Sequence, residues 1–447
     1  MTNSRAIAMH ILLAWQRNRE PLDLVLERHL AAQPPGEQRD AALVMTMVYG
    51  VLRWQGYLDG IIAALASHPL AKMKPLTLAA LRVGLYQLLF LDRVPASAAI
   101  NETVQALTMA RQPKWLTGFV NGLLRNAARR RDSLPPPDGT AAMASHPAWL
   151  VARWRQLFGR ERTERICSAN NVQPPLVLRV NRGRLAMADF LTLLGERGIA
   201  VLPGLFAPDA VRLPDFRGSV ADLPGYGEGL FQVQDEAAQL VPLLLAPFGP
   251  GRYLDGCAGL GGKALHLAHL LPSGAELTAV EPSARRCGLL RENLQRHAVV
   301  NAPLFAGTLE EFAVQEPGRF RGILLDAPCS GLGVIRRQPD IRWSRSMEEL
   351  RRQQLRQSAL LFAAADLLEE GGILLYATCS LDPMENDEVV AAFLRNRPDF
   401  ALTSVREYLP ESARVLCDAE GFFRTSPEQG VDGFFAARLQ KNPVKSA

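Results

Sequence analysis

The chain of 447 residues exceeds what one ordinary hydrophobic core organises, so two or three domains are expected. Its 48% hydrophobic and 21% charged residues exclude a disordered or collagen-like chain, and no window reaches the roughly 20 apolar residues of a membrane span. The net charge of +5 is concentrated early, since residues 1–145 carry 16 Lys and Arg against 10 Asp and Glu, and residues 146–447 carry 34 against 35.

Arginine dominates the basic residues, 44 to 6 lysines. Its planar fork suits phosphate, so a basic N-terminal region points to a nucleic-acid partner, although genome composition gives the same bias. None of the six cysteines forms a C-x-x-C pair, which leaves no usual zinc or redox spacing, and six thiols in this length are no disulfide scaffold. All seven histidines lie at or before His297, so chemistry in the last 150 residues has no local histidine as base or metal ligand, and no metal is expected. Met1 to Arg19 lacks a continuous apolar stretch behind a basic start, so no signal peptide is read there and the expected compartment is the cytoplasm.

Residues 1–132 are expected to form an all-α bundle. Apolar stripes run through Ala6, Met9, Leu13 and Trp15, through Val44, Met47, Val48, Val51 and Leu52, and through Leu76, Ala79, Leu81, Leu85 and Leu88. Spacings of three and four are those of amphipathic helices, and Pro95 and Pro113 fall between segments. Residues 133–145, with Pro135, Pro136, Pro137 and Gly139, are expected to be a linker that holds no helix. Residues 146–232 read as a small α+β subdomain. Leu176, Leu178 and Val180 alternate as a strand, Met187 to Arg197 is helical, and Gly198 is its C-cap. From 233 to 447 strands and helices alternate. The strands end near Leu254, Val280, Leu325 and Tyr376, with helices over about Glu348 to Leu368 and Asn386 to Leu394. This alternation predicts a parallel, doubly wound, Rossmann-like α/β sheet, which binds ligands beyond the C-terminal ends of its strands.

Three motifs fall at such ends. After Tyr253-Leu254 comes Asp255-Gly-Cys257-Ala258-Gly259-Leu260-Gly261-Gly262-Lys263. Its glycines permit a sharp turn and close backbone approach, and the following helix offers its positive end. The spacing is neither G-x-G-x-x-G nor a P-loop. Glu281 ends the next strand, where an acid takes the two ribose hydroxyls of a nucleoside, so a nucleoside-containing cofactor is expected. Leu325-Asp326-Ala-Pro-Cys329-Ser-Gly331 and Tyr376-Ala-Thr-Cys379-Ser380 each set a cysteine just beyond a hydrophobic strand. A lone cysteine is usually a small buried hydrophobe; two at strand ends of one sheet, near nine arginines between Arg319 and Arg356, point to thiolate chemistry.

These motifs resemble those of RNA cytosine-C5 methyltransferases, D-x-C-A-A-P-G-G-K, D-A-P-C-S-G and A-T-C-S. The runs Asp326 to Trp343 and Tyr376 to Asn386 are similar to that family over their whole length. Ala99 to Val104 and Phe119 to Asn126 resemble the NusB-like RNA-binding domain, and Val233 to Gln239 and Gly430 to Leu439 resemble the first helix and last strand of the family's catalytic domain. A NusB-like domain followed by a methyltransferase is the layout of the bacterial Fmu/Sun type. The resemblance implies a NusB-like domain over 1–132, a linker, an α+β subdomain over 146–232 and a catalytic domain over 233–447. It implies S-adenosyl-L-methionine as cofactor and 16S ribosomal RNA, free or in an assembling subunit, as substrate of a monomer. It assigns Cys379 as the nucleophile that adds to cytosine C6, Cys329 to release of the enzyme, and Asp326 to the cytosine edge or the cofactor amine. Cys257, Ala258, Gly259, Leu260, Gly261, Gly262, Lys263, Glu281, Thr308 and Asp326 would hold the cofactor. DNA cytosine methyltransferases use the cysteine of a Pro-Cys pair instead, which Pro328-Cys329 also fits.

The sequence departs from the family in three places that bear on cofactor affinity. Ala258-Gly-Leu-Gly-Gly-Lys263 lacks the family's proline, Glu281 stands where Asp is commoner, and Gly307-Thr308 replaces a Gly-Asp pair. A non-catalytic RNA-binding factor and a methyltransferase of another RNA, such as tRNA, are the alternatives; an exocyclic amino-methyltransferase lacks its Asp/Asn-Pro-Pro-aromatic site. RNA binding through the basic N-terminal region and the Arg336-Arg337 loop is expected to weaken steeply with salt.

Overall fold

The computed structural model describes residues 3–31, 38–316 and 318–443. The chain forms two compact units, Met1–Gln173 with Ile335–Arg345, and Pro174–Val334 with Ser346–Ala447.

The first unit is helical throughout: α1 Ser4–Asn18, α2 Leu22–Ala31, α3 Gln38–Leu65, α4 Pro75–Phe90, α5 Ala96–Met109, α6 Lys114–Arg129, α7 Gly139–Ala144 and α8 Ala148–Asn171. Asn3 caps α1 by accepting from the Arg5 and Ala6 amides. Pro75 opens α4, and Pro95 and Pro113 stand just before α5 and α6. The expected stripes form the core, with Met9, Val48, Val51, Leu81, Leu85 and Leu124 buried. Gly84 permits close packing of α4 on α6, since a Cβ there would lie 2.6 Å from Leu124. The stretch expected to hold no helix contains α7. Its prolines end at 137, and Asp138 then accepts from the Thr140 and Ala141 amides as a helix cap. Residues 335–345, distant in sequence, complete this unit. Arg336 is only 5% exposed there, which corrects the expectation that its guanidinium is a surface contact for RNA.

The second unit holds two sheets. The smaller comprises β1 Leu176–Val180, β2 Leu202–Pro203, β3 Ala210–Leu213 and β4 Phe231–Val233, in the order β2-β3-β1-β4 with antiparallel pairing, and carries α9 Met187–Gly195. After α10 Glu236–Leu240 the larger sheet begins. Its elements are β5 Gly251–Asp255, α11 Gly262–Leu270, β6 Ala275–Val280, α12 Ala284–Arg296, β7 Leu304–Phe305, α13 Leu309–Gln315 and β8 Phe320–Asp326. The short α14 Ile341–Ser344 lies in the segment that belongs to the helical unit. Then follow α15 Met347–Asp366, β9 Leu368–Thr378, α16 Asp387–Asn396, β10 Phe400–Thr403, β11 Phe423–Arg424 and β12 Phe435–Lys441.

The large sheet runs β10-β12-β9-β8-β5-β6-β7, with β11 beside β12. Strands β5 to β9 pair in parallel, as expected, whereas β12 pairs antiparallel with β9 and with β10. From β5 the chain winds one way through β6 and β7, then returns to the other side of β5 with β8 and β9. The strand order therefore reverses between β5 and β8, the place where such sheets open a crevice at their C-terminal ends. Asp255 and Asp326 end those two strands. No helix among the described residues is long and apolar enough to cross a membrane.

Candidate active site

Asp255, at the end of β5, is 1% exposed. One of its carboxylate oxygens accepts from the Cys257 amide at 3.3 Å, and the other is buried without a partner among the described residues. Burial, and then the nearby Asp326, push its pKa up to about 7. Its native state therefore keeps a proton that the unfolded chain releases near pH 4, and stability falls as pH rises from there through 7. Asp255→Asn is accordingly expected to gain stability over the parent chain as pH rises from 5 to 8, by about 2–4 kcal/mol at the upper end. Thermal unfolding of the cofactor-free chain across this range checks it; a difference that does not change with pH refutes the assignment.

The loop after Asp255 is built for close approach. Gly259 and Gly261 have φ of 58° and 87°, in the left-handed region. A Cβ on Gly261 would also meet Leu290 at 2.2 Å, so only glycine fits. The Ala258 amide donates to the Val280 carbonyl at 2.9 Å, and the Leu260 carbonyl accepts from the Asn293 side chain at the same distance. Burial, followed by Asp255, pushes the Cys257 thiol far up, so this cysteine is a protonated wall of the loop. Glu281, at the end of β6, is 2% exposed. Its oxygens accept from the Gly259 amide at 3.1 Å and the Ser283 amide at 2.8 Å, and Arg286 pairs with it at 2.9 Å. Thr308 caps α13 in a reciprocal box with Glu311, which engages both its hydroxyl and its amide.

The two cysteines leave neighbouring parallel strands. Asp326 on β8 lies opposite Ala377 on β9, and the Ala327 amide donates to the Ala377 carbonyl at 2.8 Å. Cys329 Sγ and Cys379 Sγ are consequently 3.1 Å apart. Gly333 donates to the Cys379 carbonyl at 2.9 Å, and a Cβ on it would meet the Gly433 carbonyl oxygen at 2.0 Å. Lys263, in the first turn of α11, reaches Asp326 at 2.6 Å and lies 4.9 Å from the centre of the Phe434 ring. Burial opposes its charge, but Asp326 and then Cys379 outweigh burial and raise its pKa. The hydrogen bond with Cys379, followed by burial, raises the Cys329 thiol well above its ordinary value.

A family model for the 16S rRNA methyltransferase RsmB/F matches residues 242–440, one for the NusB family matches 2–129, and a ferredoxin-like domain of RsmF/B methyltransferases matches 146–218. The ribosomal RNA small subunit methyltransferase B of Pseudomonas putida is 39% identical over 91% of both chains. The probable ribosomal RNA small subunit methyltransferase B of Bacillus subtilis is 34% identical over 98% of this chain and 99% of its own. The chain belongs to the ribosomal RNA small subunit methyltransferase B family. A solved structure titled "Crystal Structure of PH0851" is similar across 98% of both chains, with a TM-score of 0.80 and 25% identity.

Enzymes of this family use S-adenosylmethionine, and the residues at the switch point fit it. Gly259 and Gly261 turn the loop backbone through left-handed conformations, Glu281 stands at the second strand end, and Asp255 keeps a buried oxygen without a partner among the described residues. The sequence-expected residues from Cys257 to Lys263, with Glu281, Asp326, Cys329 and Cys379, all lie at the C-terminal ends of β5, β6, β8 and β9, and Thr308 opens α13 beyond β7. Sequence reasoning missed Asp255 as a site residue, together with Ser330, Ser380 and Glu385. The serines were visible as the residue following each cysteine, and Glu385 lay inside the run Tyr376 to Asn386.

Proposed function

We propose that the chain methylates C5 of a cytosine in 16S ribosomal RNA through a transient bond between Cys379 Sγ and cytosine C6. The observation that carries this reading is the 3.1 Å approach of two thiols at adjacent strand ends, next to the Lys263–Asp326 pair. Cytosine C5 is too electron-poor to attack a methyl group. Addition of a thiolate to C6 makes C4–C5 enamine-like and C5 nucleophilic. S-adenosylmethionine supplies the electrophilic methyl group.

Release requires loss of the C5 proton and breakage of the C6–S bond, with the electron pair returning to the Cys379 sulfur. Cys329, whose Sγ lies 3.1 Å from Cys379 Sγ, is assigned to take that proton. In this reading Cys379 is the nucleophile and Cys329 its releasing partner. The target base must leave its stack to reach the thiols.

The helical unit offers an RNA surface on α6, where Lys114, Arg125 and Arg129 are exposed together with Trp115 at 69%. Bisulfite sequencing of ribosomal RNA with and without the protein tests the reading. One 16S cytosine is expected to resist conversion only when the protein is present. Unchanged 16S rRNA overturns the proposal, and a protected site in tRNA instead reassigns the substrate.

A further inference from the structure

Beneath the paired thiols lies a carboxylate that the chemistry above does not use. Glu385 is completely buried. One of its oxygens accepts from the Ser330 amide at 2.7 Å and from the Gln357 side-chain amide at 3.1 Å. The other accepts from both the Ser330 and the Ser380 hydroxyls. Ser330 follows Cys329, and Ser380 follows Cys379. One carboxylate thus ties the residue after each thiol to the residue after the other. Its own place is set by Tyr376, whose hydroxyl donates to the Glu385 carbonyl at 2.6 Å. Asn386 adds a second tie, donating to the Ser380 carbonyl at 2.9 Å while accepting from Thr378.

We infer that Glu385 is a positioning residue that holds the two thiols in the register the reaction needs. Only an acceptor-rich group can take two hydroxyls, a backbone amide and a side-chain amide at once. An apolar residue would remove the acceptor these four donors share, and glutamine would turn its own donors toward donors. The two loops come from separate strands, and no covalent link sets the distance between their sulfurs. A shift of about 1 Å in a reacting group costs on the order of 100-fold in rate, so the register is worth a buried carboxylate. This inference rests on the reading that both thiols act on one base, but its geometric part stands apart from that reading.

The test is Glu385→Gln in the full chain, with Ser330→Ala, Ser380→Ala and the double serine variant as gentler probes should the first fail to fold. Diamide serves as a ruler: it takes one hydrogen from each thiol, becomes the hydrazine, and leaves a Cys329–Cys379 disulfide that peptide mass mapping identifies. The parent chain is expected to close this bond readily, and Glu385→Gln at least about tenfold more slowly. Its kcat for RNA methylation should fall about 100-fold with KM for RNA unchanged. Calorimetry should find its S-adenosylmethionine affinity unaltered. In the double serine background Glu385→Gln should add little, as for groups acting through one network. Parent-like disulfide closure together with parent-like kcat overturns the inference. If Cys379→Ala remains active, the covalent reading fails, while the diamide rates still decide whether Glu385 sets the thiol spacing.

Discussion

Cys379→Ala is expected to lower methyl transfer by at least about 10⁴-fold, the scale on which removal of a nucleophile costs in covalent catalysis. S-adenosylmethionine affinity should barely change, because Asp255, the loop from Cys257 to Lys263 and Glu281 sit at other strand ends. Cys329→Ser should act differently. It leaves the nucleophile in place but removes the base assigned to release, so methylated RNA should accumulate as a covalent complex that survives denaturing electrophoresis. The two cysteines lie 3.1 Å apart, and position alone does not tell their roles apart. The opposite outcome, an inert Cys329 variant and an adduct on Cys379→Ala, assigns Cys329 as the nucleophile, the role of the Pro-Cys cysteine in DNA enzymes. Full activity in Cys379→Ala would falsify the covalent scheme at this residue.

Much of the catalytic unit was legible because its information is local. Short apolar runs ending in Asp255, Glu281, Asp326 and Thr378 mark parallel strands, and the residues that follow are those proposed to carry the chemistry. What escaped depends on contacts between distant segments. Nothing in the periodicity near Glu385 tells that its carboxylate reaches Ser330, 55 residues earlier. The antiparallel β12 escaped for a similar reason: Phe435 to Leu439 is as apolar as a parallel strand, and only its pairing with β9 sets the direction. The helix α7 was hidden by the prolines before it, although Asp138 and Gly139 formed a legible cap. Of the long cysteine motif, the part up to Ser330 serves the thiols, whereas Asp340, Arg342 and Trp343 belong to the helical unit. Resemblance alone had joined these two roles in one string.

Arg342→Ala should destabilise that helical unit by roughly 3–5 kcal/mol, the range for stranding a buried charged hub's partners. Arg342 is fully buried. Its guanidinium donates to the Arg53 carbonyl at 3.1 Å, the Ser145 carbonyl at 3.0 Å, Asn171 Oδ1 at 2.6 Å and the Asn170 carbonyl at 3.2 Å. These acceptors belong to α3, to the residue that ends α7, and to the last turn of α8, so one side chain satisfies the ends of two helices and the middle of a third. Burial, and then Arg53, lower its pKa, which marks the cost of holding the charge there; the hydrogen bonds offset it. Its neighbours reinforce the anchor: Trp343 donates to the Leu52 carbonyl at 2.7 Å, and Asp340 accepts from the Leu22 amide at 3.3 Å. Arg342→Met separates the contributions, because it fills most of the volume and removes every donor. If the hydrogen bonds carry the stability, Met and Ala should be similarly damaging in urea unfolding. If Met restores most of the loss, packing dominates and the hub is a filler; a loss under about 1 kcal/mol for Ala removes the anchor role altogether.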